Sequence, residues 1–386
     1  MYSSVYLVGA GLTRSLQLAR RVPLMLDFVS VMTDYVARND VVLNTLVTME
    51  LGHVYEAGCD QCLRLAEEIG TNVKSATKEQ RERFAELVAA RPPESIEKLF
   101  ERAVAGPSLN IYTSGLATYF RYGINQVFSE IGWGLRLELL EHFLKGRFQD
   151  EGGTHTFVSF NYDLAVDRGV ERAAAGLWQP WEGYGFEFPF YTITDPASDS
   201  PTDGAIALPS QTLPRGSSRF RILKPHGSLN WLRPVPNSYR PIGPNAASDM
   251  ILPLDADGHL RYWPSASTFN YFTIAGANRW PHDYEVLIAA PSPVKPLIMQ
   301  EALDAEAAAI GTADEVFVIG YSIPRTDGDQ WSLLRKAVQS REKAIETLTT
   351  VNYQAPPEYF GDIRELFGPR FVREFNSGFA DFVGAI

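Results

Sequence analysis

Cysteine is nearly absent from this chain: Cys59 and Cys62, in the stretch CDQC, are the two in 386 residues. One such pair cannot by itself supply the four ligands of a structural zinc site. No metal is therefore expected, and the pair reads as two thiols on one helix or as a redox couple. Long apolar runs are missing too. No stretch of about 18 apolar residues occurs, so no transmembrane helix is expected. Basic charge is short: 35 Lys and Arg against 46 Asp and Glu leave a formal net charge of −11. Direct nucleic-acid binding, which needs cations to replace phosphate counterions, is not expected. A local basic cleft, or a partner that binds nucleic acid, is still compatible with that balance. The opening SSVYLVGAG has no basic segment ahead of a long apolar core. No secretory signal peptide is expected from it, and the cytoplasm is the expected compartment.

What is present is globular: 45% hydrophobic and 21% charged residues. The length suits one large α/β domain carrying a helical insertion. Tyr6–Gly9 reads as a first buried strand. From about Met25 to Lys145 the pattern is largely helical, with breaks near Gly70–Asn72, Arg91–Pro93 and Gly106–Pro107. PESIEKLFERAV places Ile96, Leu99, Phe100 and Val104 on one helix face. The aromatic-rich stretch near Tyr119–Phe143 reads as a buried helix pair or an oligomer face. His155–Phe160 is the second strand, and a Pro- and Gly-rich stretch from about Trp178 to Ser218 reads as surface loop. Phe220–Leu223 returns to strand, and Pro234–Pro281 is irregular. YEVLIAAP, DEVFVIGYS and IETLTTVNY read as strands, separated by the helices LIMQEALDAEAAAI and DQWSLLRKAVQ. Such alternation implies a Rossmann-like parallel sheet with helices on both faces. The expected organisation is one domain over residues 1–386, with the helical insertion at about 30–150.

Ligands of open parallel sheets lie beyond the carboxyl ends of the strands, so the strand ends matter most. TFVSFNYDLAV leaves its strand by presenting Asn161 and Asp163 almost side by side. A helix cap accounts for one such residue without further function. The first strand ends in Gly9, Ala10, Gly11, Leu12 and Thr13, where small residues let a pyrophosphate approach the backbone. The third glycine of the dinucleotide fingerprint is absent, its place taken by Arg14. No clear acidic residue ends a strand about twenty residues on, so a hydride-transferring dehydrogenase is disfavoured. The third strand ends in KPHGS, where Pro225 and Gly227 fix a turn around His226. An imidazole titrates near neutrality and suits a general base there.

In order, GAGLT, FNYD, KPHGS, VFVIGYS and VNY resemble the motifs of the sirtuins, over a span from Val8 to Asn352. Thr13 stands where the family's first motif has serine. The four-cysteine zinc module of protein deacylases is missing, and the stretch after GAGLT lacks the shorter form closing in Pro-Asp-Phe-Arg. With the long helical insertion, these departures resemble the bacterial sirtuin-like NAD+ hydrolases of anti-phage defence. The resemblance implies NAD+ as substrate, cleaved to nicotinamide and ADP-ribose in an abortive-infection response. It also implies a homo-oligomer and a partner such as a HerA-type ATPase or a short Argonaute.

The resemblance gives the residues roles as well. Asn161 would hold the attacking water or the ribose. Asp163 would bond the nicotinamide amide or the ribose, and His226 would bond a ribose hydroxyl or act as general base. Gly9, Ala10, Gly11 and Thr13 would cradle the pyrophosphate. Gly227 would also bind the cofactor, and Gly320, Tyr321, Ser322 and Asn352 would line the adenosine side. Lys295 is a cofactor contact or plain loop, and Asp327 a helix start over the cofactor or a simple cap. A protein deacylase or ADP-ribosyltransferase, and a non-catalytic NAD+ or ADP-ribose sensor, are the alternatives.

Overall fold

The computed structural model describes residues 2–17, 19–24, 26–70, 72–105, 116–132, 134–149, 152–174, 184, 188–194, 206–213, 219–234, 250–251, 272–274, 277–279, 284–288, 297–323 and 328–386. β1 (Ser3–Val8) leads into α1 (Ala10–Leu16). A helical run follows: α2 (Phe28–Thr33), α3 (Asp40–Leu51), α4 (Asp60–Gly70), α5 (Lys78–Ala89), α6 (Ile96–Ala105), α7 (Leu116–Gly132) and α8 (Leu137–Arg147). β2 (Thr154–Ser159) and α9 (Ala165–Ala173) precede β3 (Phe188–Thr194), β4 (Ile206–Leu213), β5 (Phe220–Leu223) and β6 (Gly227–Pro234). The short β7 (Met250–Ile251), β8 (Phe272–Ile274), β9 (Ala277–Arg279) and β10 (Tyr284–Ile288) come next. The chain ends with α10 (Leu297–Thr312), β11 (Glu315–Ile319), α11 (Gly328–Gln339), β12 (Thr347–Val351), α12 (Pro357–Phe367), β13 (Phe371–Phe375) and α13 (Phe379–Ala385).

Six strands form a wholly parallel sheet in the order β13-β12-β11-β1-β2-β5. Both faces are covered, which is why β1 reads as an unbroken apolar run. Its side chains alternate between two cores. Val5 and Leu7 pack with Val316, Val318 and Leu348 under α10, α11 and α12. Tyr6 and Val8 pack with Phe157, Phe317 and Ile319 under α1, α8, α9 and α13. On that second face Tyr6 stacks on Phe157 of β2 at 4.4 Å and on Phe317 of β11 at 4.9 Å, tying three neighbouring strands together. The order runs outward from β1 to β2 and β5 on one side, and from β11 to β12 and β13 on the other. The switch between β1 and β11 is where such sheets open a crevice at their carboxyl ends.

The Rossmann-like reading holds, and helices fill the connection between β1 and β2. Ile96, Leu99 and Phe100 of α6 are buried in a separate helical core with α3 and α7. The aromatic-rich stretch divides: α7 buries Phe120, Ile124 and Val127 in that helical core, whereas α8 buries Leu140, Phe143 and Leu144 against the sheet. For these side chains the core reading applies.

The second half departs from expectation. A seven-stranded sheet, ordered β10-β6-β7-β3-β4-β8-β9 and mostly antiparallel, occupies stretches read as surface loop and irregular chain. β10, read as a member of the parallel sheet, pairs antiparallel with β6 instead. An apolar run signals a strand but carries no information about its partner. β3 and β4 were hidden by Pro189 and Pro209, residues that weigh against a central strand. The β3–β4 register shifts beside Tyr191, which pairs with Pro209, an irregularity of the kind that lets proline sit in a ladder.

Candidate active site

The first site element is backbone packed on backbone. Gly11 N–H donates to Gly320 O at 2.9 Å, and Gly9 N–H to Ile319 O at 3.0 Å. A Cβ on Gly9 would lie 2.5 Å from Gly320 O, and one on Gly11 2.8 Å from Gly320 Cα. The turns that end β1 and β11 therefore touch only because these positions lack side chains. The glycines thus have a demand of their own at the crevice, beyond any ligand.

A buried polar group hangs from this junction. Asn161 Nδ2 donates to Gly9 O and to Thr13 Oγ1, each at 3.0 Å. Thr13 Oγ1 donates to Asp163 Oδ2 at 2.8 Å, and Asp163 Oδ1 accepts the Ala165 N–H at 2.9 Å at the start of α9. Gly9 O can only accept, and the Thr13 proton goes to Asp163, so both contacts fix which end of the Asn161 amide is nitrogen. Asn161 Oδ1 is left without a hydrogen bond among the described residues. The two polar residues of FNYD thus divide the work: Asp163 holds the Ala165 N–H and anchors Thr13, while Asn161 carries the spare acceptor.

Both Asp163 oxygens are engaged within the protein, and the residue is buried. Burial pushes its carboxyl above the ordinary aspartate range, only partly offset by the Ala165 N–H, Lys224 and Thr13, and assisted by Asp167. A raised folded-state value favours the neutral form. Its contribution to stability is present below the unfolded value and lost as pH rises through the folded one. The stability of Asp163→Asn relative to the native protein should therefore increase from acid to neutral pH. Urea midpoints of the two proteins across that window test this, and parallel profiles would contradict it.

Beneath Asp163 lies a cluster that the sequence analysis assigned no role. Lys224 and Asp167 have no exposed side-chain surface and form an ion pair at 2.9 Å. Lys224 Nζ also donates to Asp163 O at 2.7 Å and to Ser228 Oγ at 2.8 Å, so two of its three ammonium protons are placed in hydrogen bonds beside the charge contact with Asp167. Tyr184 OH donates to Asp167 Oδ1 at 3.0 Å. Lys224 thereby pins the strand end that carries Asn161 to the turn that carries His226. The available signal was the lysine within KPHGS and an aspartate one helical turn beyond Asp163.

His226 sits half-buried in the turn joining β5 to β6, where Gly227 N–H donates to Lys224 O at 2.9 Å. Gly227 has φ 86, a left-handed conformation that suits glycine. Leu229 N–H donates to Tyr162 O at 3.0 Å, a second tie between the two loops. Phe160 completes the arrangement: its ring meets His226 edge-on at 5.3 Å and stacks on Tyr321 at 3.9 Å. Phe160 was read only as a strand residue, yet it spans the ends of β2, β5 and β11. The turn after β11 is held tightly, with Gly320 at φ 57 and the β-branched Ile323 at φ 42, a strained value for such a residue. Tyr359 OH donates to Tyr321 O at 2.7 Å, and burial raises that phenol above its usual range against a partial offset from Asn352.

The remaining expected residues are more dispersed. Ala10 is half-buried as the first residue of α1. Ser322 is exposed. Asn352 ends β12 one strand further out, its Oδ1 accepting the Tyr353 N–H at 2.8 Å. Lys295 and Asp327 lie outside the described residues. Among the described residues no cluster of three or more His, Cys, Asp or Glu could hold a metal ion. None of their helices is long and apolar enough to cross a membrane.

No family model matches the chain, and no curated protein does. Among solved structures it is similar to Sir2Tm bound to a propionylated peptide, at 15% identity over 69% of this chain and 79% of that one, with a TM-score of 0.31. It is also similar to Sir2 in complex with the inhibitor EX-527, 2'-O-acetyl-ADP-ribose and a deacetylated p53 peptide, at 13% identity over 99% of this chain and 91% of that one, with a TM-score of 0.33. A sirtuin from work on substrate affinity matches at 14% identity over 72% of this chain and 84% of that one, with a TM-score of 0.32. Likeness of this degree does not bear on substrate or reaction.

Proposed function

We propose that this chain is an NAD+ glycohydrolase, which breaks the bond between nicotinamide and ribose and releases nicotinamide and ADP-ribose. The observation that carries the reading is the Asn161 amide, oriented by Gly9 and Thr13 with Oδ1 spare, beside the β1–β11 switch and on the same sheet end as His226. Cleavage of a glycosidic bond builds positive charge on the ribose. Asn161 Oδ1 accepts a proton of the attacking water or of a ribose hydroxyl and holds it below the ring. His226 takes the proton from water as the new bond forms, a role worth on the order of 10²–10⁴-fold. Asp163 acts one step back, orienting Thr13 and through it Asn161. The β1–α1 turn takes the pyrophosphate, and the Gly320–Ser322 turn with Asn352 takes the adenosine side. No metal takes part.

The resemblance of GAGLT, FNYD and KPHGS to sirtuin motifs supports NAD+ as substrate. The two cysteines of the sequence cannot build the zinc module that accompanies an acyl-lysine channel, which favours water over a peptide as acceptor. On the same resemblance we place the protein as an NAD+-depleting effector of bacterial anti-phage defence. It works in the cytoplasm as a homo-oligomer with a HerA-type ATPase or short Argonaute as partner.

Asn161→Ala and His226→Ala should each lower nicotinamide release at least about 10²-fold, with circular dichroism unchanged. A folded double variant that turns over NAD+ at the native rate would overturn the assignment.

A further inference from the structure

The helical unit carries a second piece of chemistry, independent of the nucleotide reading. Cys59 is the N-cap of α4: its carbonyl accepts the Leu63 N–H at 2.9 Å, and its Sγ accepts the Cys62 N–H at 3.2 Å. A sulfur in that position faces the positive end of the helix and is stabilised as thiolate. Cys59 is half-buried, Cys62 is buried, and both are free thiols. Behind them stands Arg91, whose side chain is only 8% exposed. Its Nη1 donates to Ala57 O at 2.9 Å and its Nη2 to Glu50 Oε2 at 2.6 Å. Arg91 Nε has no hydrogen-bond partner among the described residues, while the guanidinium faces the Cys62 thiol.

We propose that Cys59 and Cys62 form an exchange dithiol that reacts with a small-molecule disulfide and closes to a Cys59–Cys62 bond. Residues three apart on a helix have Cβ atoms about 5–6 Å apart, so a modest rotation reaches the roughly 3.5–4.5 Å that a disulfide needs. The Cys59 thiolate attacks one sulfur of the incoming disulfide, forming a mixed disulfide and expelling one thiolate. Cys62 then loses its proton and attacks Cys59 Sγ, closing the internal bond and expelling the second thiolate. Two cysteine thiols are oxidised by two electrons, the external disulfide is reduced to two thiols, and both protons pass to the departing thiolates.

The two sulfurs are differentiated as this sequence requires. Burial alone would raise the Cys59 thiol, but the hydrogen bonds it receives from the Cys62 thiol and N–H, with Arg91 nearby, bring it below the usual range against an opposing effect of Glu50. Burial, together with donation to Cys59, pushes Cys62 up to about 11. The other charged or titratable groups nearby are Tyr55, whose ring Arg91 covers at 4.3 Å, and Asp60 in the first turn of α4. The half-buried sulfur attacks and the buried one resolves.

The test is a titration of the full chain in mixtures of reduced and oxidised glutathione, read by intact mass after thiol alkylation. The native protein should pass in one two-electron transition to a form lacking two hydrogens. Cys62→Ser should accumulate a glutathione adduct at Cys59, and Cys59→Ser should take up at least tenfold less. Two free thiols at every ratio in the native protein, which needs no variant to fold, would overturn the proposal. Equal adduct formation by the two variants would overturn it as well.

Discussion

Lys224→Met should destabilise the protein by about 3–5 kcal/mol, the cost of stranding a buried charge by removing its partner. Lys224 and Asp167 are both without exposed side-chain surface, so Asp167 has no water to turn to once the ammonium is gone. Asp163 O and Ser228 Oγ lose their donor in the same substitution. Lys224→Met with Asp167→Leu should recover much of the loss, because removing both charges also removes their desolvation penalty. A residue of about 1–3 kcal/mol should remain, since the hydrogen bonds from Tyr184 OH to Asp167 and from Lys224 to Asp163 O are both lost. Urea denaturation of the three proteins reads these differences. A single variant within about 1 kcal/mol of the native protein would show that this pair does not carry the load assigned to it.

Gly320→Ala should rank next. At φ 57 an alanine costs about 1–2 kcal/mol from conformation alone. Its Cβ would then lie 2.3 Å from Leu12 N and 2.5 Å from Gly11 C, contacts with backbone that no rotamer change relieves. The β1 and β11 turns must part, and the total should exceed about 3 kcal/mol. Because Gly9 O anchors Asn161, turnover in the surviving folded fraction should fall as well. Gly361→Ala in α12 is the control: nothing lies within 4 Å of its added Cβ. It should stabilise by about 0.5–1 kcal/mol. Equal melting temperatures for the two variants would refute the close-packed junction.

The parallel sheet was legible because its central strands are buried on both faces, and a run such as Val5–Val8 can be little else. The ends of β1, β2, β5 and β11 were legible because glycine, asparagine and histidine interrupt apolar runs at those points. The antiparallel sheet was not, since Pro209 and short strands obscure the signal and partner choice leaves no local trace. Within the site, Asn161, Asp163 and Thr13 could be named but not their bonding. That Asp163 turns inward while Asn161 keeps a spare oxygen follows from a contact 150 residues apart in the chain. Phe160 and Lys224 were missed for opposite reasons. The first looks like any core aromatic, and the second like any surface cation, until the turn at Gly227 folds it inward.

The most direct test is the product balance from NAD+, supplied to the purified protein alone and with the proposed ATPase or Argonaute partner, with and without an acetyl-lysine peptide. Nicotinamide and ADP-ribose should form in equal amounts, without peptide, and both should be lost in Asn161→Ala. NAD+ bound but intact under every condition, or nicotinamide released only once the peptide is added, would contradict the proposed hydrolysis.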